Sequence, residues 1–324
     1  MNPFHKYISR RVIFAVISVI AIISFDFFLF RLMPGNPILL DYRSPALTKT
    51  QIETLSKQFG LNLPLWQQYF LFMKNTFEGN FGISIFYHQS VSSIIFPALE
   101  NSLILLVPAT ILAIILGILT GKLAAWRRGT SVDSAVTGGS MALYSIPTFW
   151  LGGIFILLAI KTKTFPVSGM YTIGEVFSSP VAEFADLLDH LILPLATLTL
   201  VLYGQFTIIM RNSLIDVLQE DFINFAKSKG ASDSYVLNKH AVPNAELPMI
   251  SIIAVNLGLT VGGAILTETV FSWPGIGFLI YSAINARDYP VLEAAFVIVA
   301  IVIVLANIIA DIMYSYLDPR IRYQ

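Results

Sequence analysis

The chain is 324 residues long, 56% hydrophobic and only 12% charged, with 20 basic and 20 acidic residues and a mean hydropathy of +0.73. A soluble domain carries about 25% charged residues, so a bilayer must receive most of this apolar surface. Zero net charge gives no basic field for nucleic acid, and the absence of Cys excludes disulfides, thiolate zinc sites and cysteine nucleophiles.

The first apolar run, residues 12–32, is about 20 residues, enough to cross a hydrocarbon core roughly 30 Å thick. His5, Lys6, Arg10 and Arg11 precede it. It is longer than a signal-peptide core, and Arg31 and Met33-Pro34-Gly35-Asn36-Pro37 follow it instead of a small-residue cleavage site. A retained first helix with a cytoplasmic N-terminus is expected. Residues 33–100 change character, with Pro, Gly, Asn and scattered charge. Amphipathic helices are expected at Leu47 to Phe59 and at Leu65 to Phe77, the second started by Pro64, with turn chemistry at 77–84. The segment is predicted to form an extracytoplasmic subdomain.

A second span is predicted at 102–125, ending at Trp126-Arg127-Arg128, and a third at 134–160, containing Pro147. An external loop, 161–189, leads to a fourth span, 190–210, that ends at Arg211. The polar stretch 211–248 follows, then a fifth span at 249–269, a Gly/Pro-rich aromatic loop at 271–290 and a sixth span at 291–316. Residues 101–324 thus read as a core of five spans, and the whole as an all-α, six-span membrane protein. Basic residues 10–11, 127–128, 211, 227, 229, 239, 320 and 322 then share the cytoplasmic side with both termini. No internal repeat indicates the paired halves of many secondary transporters.

The nearest approach to a phosphate-binding loop, Gly117-Ile118-Leu119-Thr120-Gly121-Lys122-Leu123, is one residue short and has Leu where Ser or Thr would hold Mg²⁺. It also lies within a span. ATP chemistry must therefore come from another chain, and no cofactor is expected in this one. Gly117 and Gly121, like Gly258 and Gly262, form G-x-x-x-G pairs that suit either intrachain packing or a dimer seam. The four histidines lie far apart, so no metal site is expected. Asp26, Glu268, Glu293 and Asp311 are acids within or at the ends of spans, where structural pairing competes with substrate contact. A stand-alone secondary transporter would want several acids at mid-membrane, and only Asp26 qualifies.

The polar stretch has the most specific content. Leu214 to Lys229 has helical spacing, with Leu214, Val217, Leu218, Phe222, Phe225 and Ala226 able to share an apolar stripe. Gly230 suits a helix C-terminus, Ser232 or Asp233 a second helix N-cap, and Pro243 the end of that helix. Two short helices joined at a Gly make a rigid knob below the membrane. Such a knob can fit a cleft in a partner, or lie as a hairpin on lipid headgroups.

Residues 221–248 resemble the cytoplasmic loop of ABC-importer permeases, whose consensus is Glu-Ala-Ala, three residues, Gly, nine residues, Ile-x-Leu-Pro. Ala226 falls on the second Ala, Gly230 on the Gly and Val242-Pro243 on Leu-Pro, while Asn224, Phe225 and His240 depart from it. The dipeptide/oligopeptide/nickel branch fits nearly the whole chain, as the first permease of a pair. Segments MPGNP (33–37), FGLNLPLWQQY (59–69), GNFGIS (79–84), FPVSG (165–169), HAVPNAELP (240–248), GGAILTETVFSWPGIG (262–277), RDYP (287–290) and DPRIR (318–322) are similar to it in order.

The resemblance implies a type I importer permease that pairs with a second, homologous permease, two ATPase subunits and an extracytoplasmic substrate-binding protein. It places Asp221, Phe222, Phe225, Ala226, Lys229, Gly230, Ala231 and Ser232 in the ATPase groove, with Pro243 and Asn244 anchoring the knob to span five. Trp66, Phe271, Trp273, Pro274, Gly275 and Gly277 are expected at the external gate and docking face. Short peptides are the branch's default cargo; oligosaccharides and nickel are the alternatives.

Overall fold

A computed structural model describes residues 3–32, 62–247, 249, 253 and 265–317. Outside the described residues lie the predicted helix at 47–59, the MPGNP turn, Gly258, Gly262, most of the fifth span and the DPRIR terminus. Among the described residues the fold is all-helical, with one isolated bridge between Ile83 and Ser90.

The helices are α1 (Pro3–Leu32), α2 (Leu65–Phe77), α3 (Val91–Trp126), α4 (Ser131–Ser145), α5 (Thr148–Thr162), α6 (Pro180–Val217) and α7 (Asp221–Ser228). They continue with α8 (Asp233–Tyr235), a π-helical turn (Val236–Ala241), α9 (Val242–Ala245), α10 (Ile265–Val270), α11 (Ile276–Ala286) and α12 (Tyr289–Leu317). Among the described residues four helices, α1, α3, α6 and α12, are each long and apolar enough to cross a membrane, and α4 and α5 together make one more if counted as one.

Three boundaries differ from the sequence reading. The second and fourth spans extend into helices of 36 and 38 residues, about 54 and 57 Å at 1.5 Å per residue. Both outrun a 30 Å core, so Arg211 to Val217, assigned above to the polar loop, are the last turns of α6. The third span is broken: α4 and α5 meet at 98°. Ile146 is extended (φ −76°, ψ 128°) immediately before Pro147, as the proline ring demands of its predecessor. Residues 276–286, read as loop, form the apolar helix α11.

Close helix contact depends on glycine at a few points. A Cβ on Gly117 would lie 2.4 Å from Phe206 Cβ, and one on Gly121 2.7 Å from Met210 Cβ. The first G-x-x-x-G pair is therefore an intrachain α3–α6 seam. Gly204 brings α6 against α4, where a Cβ would meet the Ser140 carbonyl oxygen at 2.3 Å. Backbone cannot retreat as a flexible side chain can. Gly204→Leu is expected to cost more than the roughly 1–3 kcal/mol typical of overpacking, visible as a lower thermal midpoint and less monodisperse protein in detergent; an unchanged midpoint would refute the close approach.

The α4–α6 seam is pinned by Arg211 at one end. Its Nε and Nη2 donate to Asp133 Oδ1 and Oδ2 at 2.6 and 2.7 Å. Asp133, buried in the first turn of α4, also accepts from the Gly129 N–H and Thr137 Oγ1. A two-pronged pair of this kind fixes orientation as well as distance.

Candidate coupling elbow and interhelical joint

The polar stretch folds as the expected pair of short helices, but its apolar residues divide differently. Ile223 is buried on α7 and packs with Phe206, Met210 and Leu214 of α6 and with Val236, Leu237, Ala241 and Ala245. Leu214 is buried in this cluster, while Val217, Leu218 and Ala226 pack against it. Phe222 and Phe225 do not join the stripe: they are 42% and 61% exposed. The reason is the turn at Leu218–Glu220, which breaks α6 from α7 and rotates the α7 register.

Gly230 ends α7 as its position predicted. At φ +83° it adopts the left-handed conformation that costs an L-residue about 1–2 kcal/mol. The Gly230 N–H donates to the Lys227 carbonyl and the Ala231 N–H to that of Ala226, the paired bonds of a Schellman C-cap. No atom lies within 4 Å of where a Gly230 Cβ would sit, so the turn points outward. Ser232 caps α8 by accepting from the Tyr235 N–H. Lys227 pairs with Asp233 at 3.4 Å across the turn, and the Lys229 ammonium lies 4.4 Å from the Phe225 ring centroid. Asp221 is exposed in the first turn of α7, where its charge suits the helix dipole.

Pro243 does not end the second helix. Lacking an N–H, it cannot bond the carbonyl four residues back. The chain absorbs it by widening into the π turn, in which the Val242 N–H reaches Leu237 O. Pro243 and Asn244 are exposed; the anchoring is done by buried Ala241 and Ala245, with Ser213 Oγ donating to Ala245 O at 2.8 Å. Lys122 Nζ donates to Asn238 Oδ1, tying α3 to the π turn. Burial pushes the nearby Glu246 carboxyl up, and the Lys122 charge opposes the shift.

At the far end of α3 the predicted gate residues of the 271–277 loop come together in an interhelical joint. Trp273 is fully buried and Phe271 nearly so, Gly275 and Gly277 are buried, and Pro274 is exposed. Glu268, read above as a span-end acid, is the centre of the joint. Its carboxylate is fully buried and accepts from Ser102 Oγ (2.6 Å), the Gly277 N–H (2.7 Å) and the Phe278 N–H (3.1 Å). Ser102 Oγ in turn accepts from the Ile276 N–H at 2.8 Å. The first three amides of α11 are thus capped by side chains from α10 and α3. Gly275 and Gly277 are required because a Cβ on either would come within 2.4 or 2.6 Å of Glu268 or Ile265. Trp273 Nε1 donates to Asn101 O, and Asn101 Nδ2 donates to Pro274 O.

A second buried acid, Asp288, serves the same end. It accepts from Ser84 Oγ and from the Ile85 and Phe86 amides, fastening the 80–90 segment to the α11–α12 turn. Ser102 carries no signal in the sequence, and Ser84 only its place at the end of the GNFGIS segment. Asp26 is buried on α1 with Oδ2 lacking a hydrogen-bond partner, so that oxygen does not have the partner expected of a paired acid. Trp66 is 62% exposed on α2, apart from the joint.

Residues 113–323 match the family described as the binding-protein-dependent transport system inner membrane component, and residues 4–99 match its N-terminal membrane component. The chain belongs to this family. It is 38% identical to the probable peptide ABC transporter permease protein y4tP of Sinorhizobium fredii and 35% to the oligopeptide transport system permease protein AppB of Bacillus subtilis, covering 98% of this chain and 99% of each relative. The dipeptide transport system permease protein DppB of Escherichia coli is 33% identical over the same shares. The permease fold is also that of a chain from the inward-facing MetNI methionine ABC transporter, with a TM-score of 0.54 at 16% identity over 69% of this chain and 96% of that one.

Proposed function

We propose that this permease forms half of the translocation pathway of an ATP-driven importer for short peptides, paired with a second, homologous permease. Its relatives' names, peptide, oligopeptide and dipeptide permease, support the cargo. Both termini and the elbow face the cytoplasm, in keeping with the Lys and Arg distribution, and the α3–α10–α11 joint faces outward toward a substrate-binding protein. ATP and Mg²⁺ belong to two partner ATPase subunits.

The observation that carries the coupling role is the rigid elbow with Phe222 and Phe225 exposed at its tip. Both rings are held away from the bundle, while Ile223 on the same helix is buried in it. Aromatic side chains presented on a braced support are the usual anchors of a protein interface. Differential affinity is the only lever a ligand has on a two-state equilibrium, so ATP must favour the arrangement in which the ATPases draw the two elbows together. Residues Asp221 to Ser232 sit in the ATPase groove.

Phe225→Ser tests this directly. Loss of a central aromatic anchor costs about 2 kcal/mol or more, so ATP-driven uptake in proteoliposomes should fall by about tenfold or more. Thermal stability of the isolated chain should not move, since the ring is exposed. Uptake at the wild-type rate would overturn the assignment.

A further inference from the structure

We propose that α2 is a membrane-surface helix whose Trp66, Phe70 and Phe77 face is seated in the lipid leaflet around the Leu32 end of α1. The proposal rests on membrane insertion of the chain and not on the identity of its cargo.

The position of α2 is fixed by α1. Tyr69 stacks on Phe28 and meets Phe27 edge-on, Phe72 packs on Phe27, and Ser24 Oγ lies 2.8 Å from the Tyr69 hydroxyl. These α1 residues stand four to eight positions before Leu32, roughly 6–12 Å below the helix end at 1.5 Å per residue. The apolar part of α1 runs from Ile8 to Leu32, so α2 contacts it at the depth of one leaflet's boundary. That part of α1 has its own exposed apolar side chains, Phe25, Phe28, Leu29 and Leu32.

Helical spacing divides α2 into three sectors. Tyr69, Phe72 and Thr76 face α1. Gln67, Lys74 and Asn75 make a largely polar sector away from α1, with Leu71, 41% exposed, among them. Trp66, Phe70 and Phe77 occupy a third sector beside the first and are 62%, 64% and 66% exposed. Half of the helix circumference is therefore apolar, and α1 covers only part of it. The uncovered part is joined to the exposed Phe28 of α1 through Tyr69, whose ring meets both Phe28 and Phe70, and aromatic rings are enriched at this depth in bilayers. Lys74, paired with Glu78 at 3.9 Å and well exposed, marks the water side. Trp66, placed on the docking face by the sequence reading, belongs to this lipid-facing sector instead.

The chain contains no Cys, so a single introduced Cys carries a unique nitroxide label. Phe70→Cys, Phe77→Cys and Lys74→Cys would be compared in the assembled transporter, its other subunits freed of Cys, in phosphatidylcholine–phosphatidylglycerol liposomes. At positions 70 and 77, the ratio of relaxation by oxygen to relaxation by a water-soluble nickel chelate should be at least about threefold above that at position 74. Addition of the substrate-binding protein should leave it unchanged. Ratios equal to that at 74 would mean a water-facing surface. Suppression of both relaxations, at rest or on adding the binding protein, would mean a protein partner. Either result overturns the proposal.

Discussion

Glu268→Ala is expected to yield a chain that fails to fold stably in membrane or detergent. The substitution removes the acceptor of the Ser102 hydroxyl and of the Gly277 and Phe278 amides, all within a fully buried joint. Each buried donor left unpaired costs about 1–3 kcal/mol, and removing the carboxylate adds a cavity. The sum, several kcal/mol, is comparable with the whole stability of an ordinary domain, about 5–15 kcal/mol. Glu268→Gln keeps one acceptor oxygen in nearly the same volume and should fall between Ala and wild type. The measurement is the thermal midpoint of purified protein. If Glu268→Ala melts where the wild type does, the joint does not depend on this carboxylate.

Gly230→Glu is expected to abolish ATP-driven uptake while leaving membrane insertion intact. Two effects combine, and they can be separated. The left-handed backbone at φ +83° costs any L-residue about 1–2 kcal/mol, which the elbow's buried support around Ile223 and Ala245 can absorb. The second effect is at the interface: space beyond Gly230 is open within this chain, so a carboxylate there meets only a partner, where it must lose water without compensation. Gly230→Asn tolerates the left-handed conformation and adds no charge, and should retain most uptake. Gly230→Glu transporting at the wild-type rate would mean that no subunit closes over this turn. Gly230→Asn as inactive as Gly230→Glu would assign the loss to the backbone instead of the charge.

The all-helical membrane class, the places of the long apolar runs and the Gly230 turn were determined by composition and local chemistry. Apolar runs near 20 residues answer to bilayer thickness alone, and a left-handed C-cap answers to the absence of a Cβ. The break at Ile146-Pro147 was local too: Pro147 was visible within the predicted span, and its constraint on the preceding residue is a property of the dipeptide. Helix ends were not legible, because α3 and α6 continue past the hydrocarbon on packing with each other and with the elbow, which no hydropathy window registers.

Only the tertiary structure decided what the polar residues do. Glu268 and Ser102 are 166 positions apart, as Asp288 and Ser84 are 204 apart; their roles exist only once α3, α10, α11 and the 80–90 segment are brought together. The same holds for Trp273, which reads as a gate residue in its aromatic loop yet is buried with its indole N–H on Asn101. Phe222 and Ile223 are neighbours of similar hydrophobicity, and the sequence selected the wrong one for burial. The three-residue turn before α7 sets which of them faces the bundle, and that rotation is fixed by packing against α6 and the π turn, not by the α7 sequence itself.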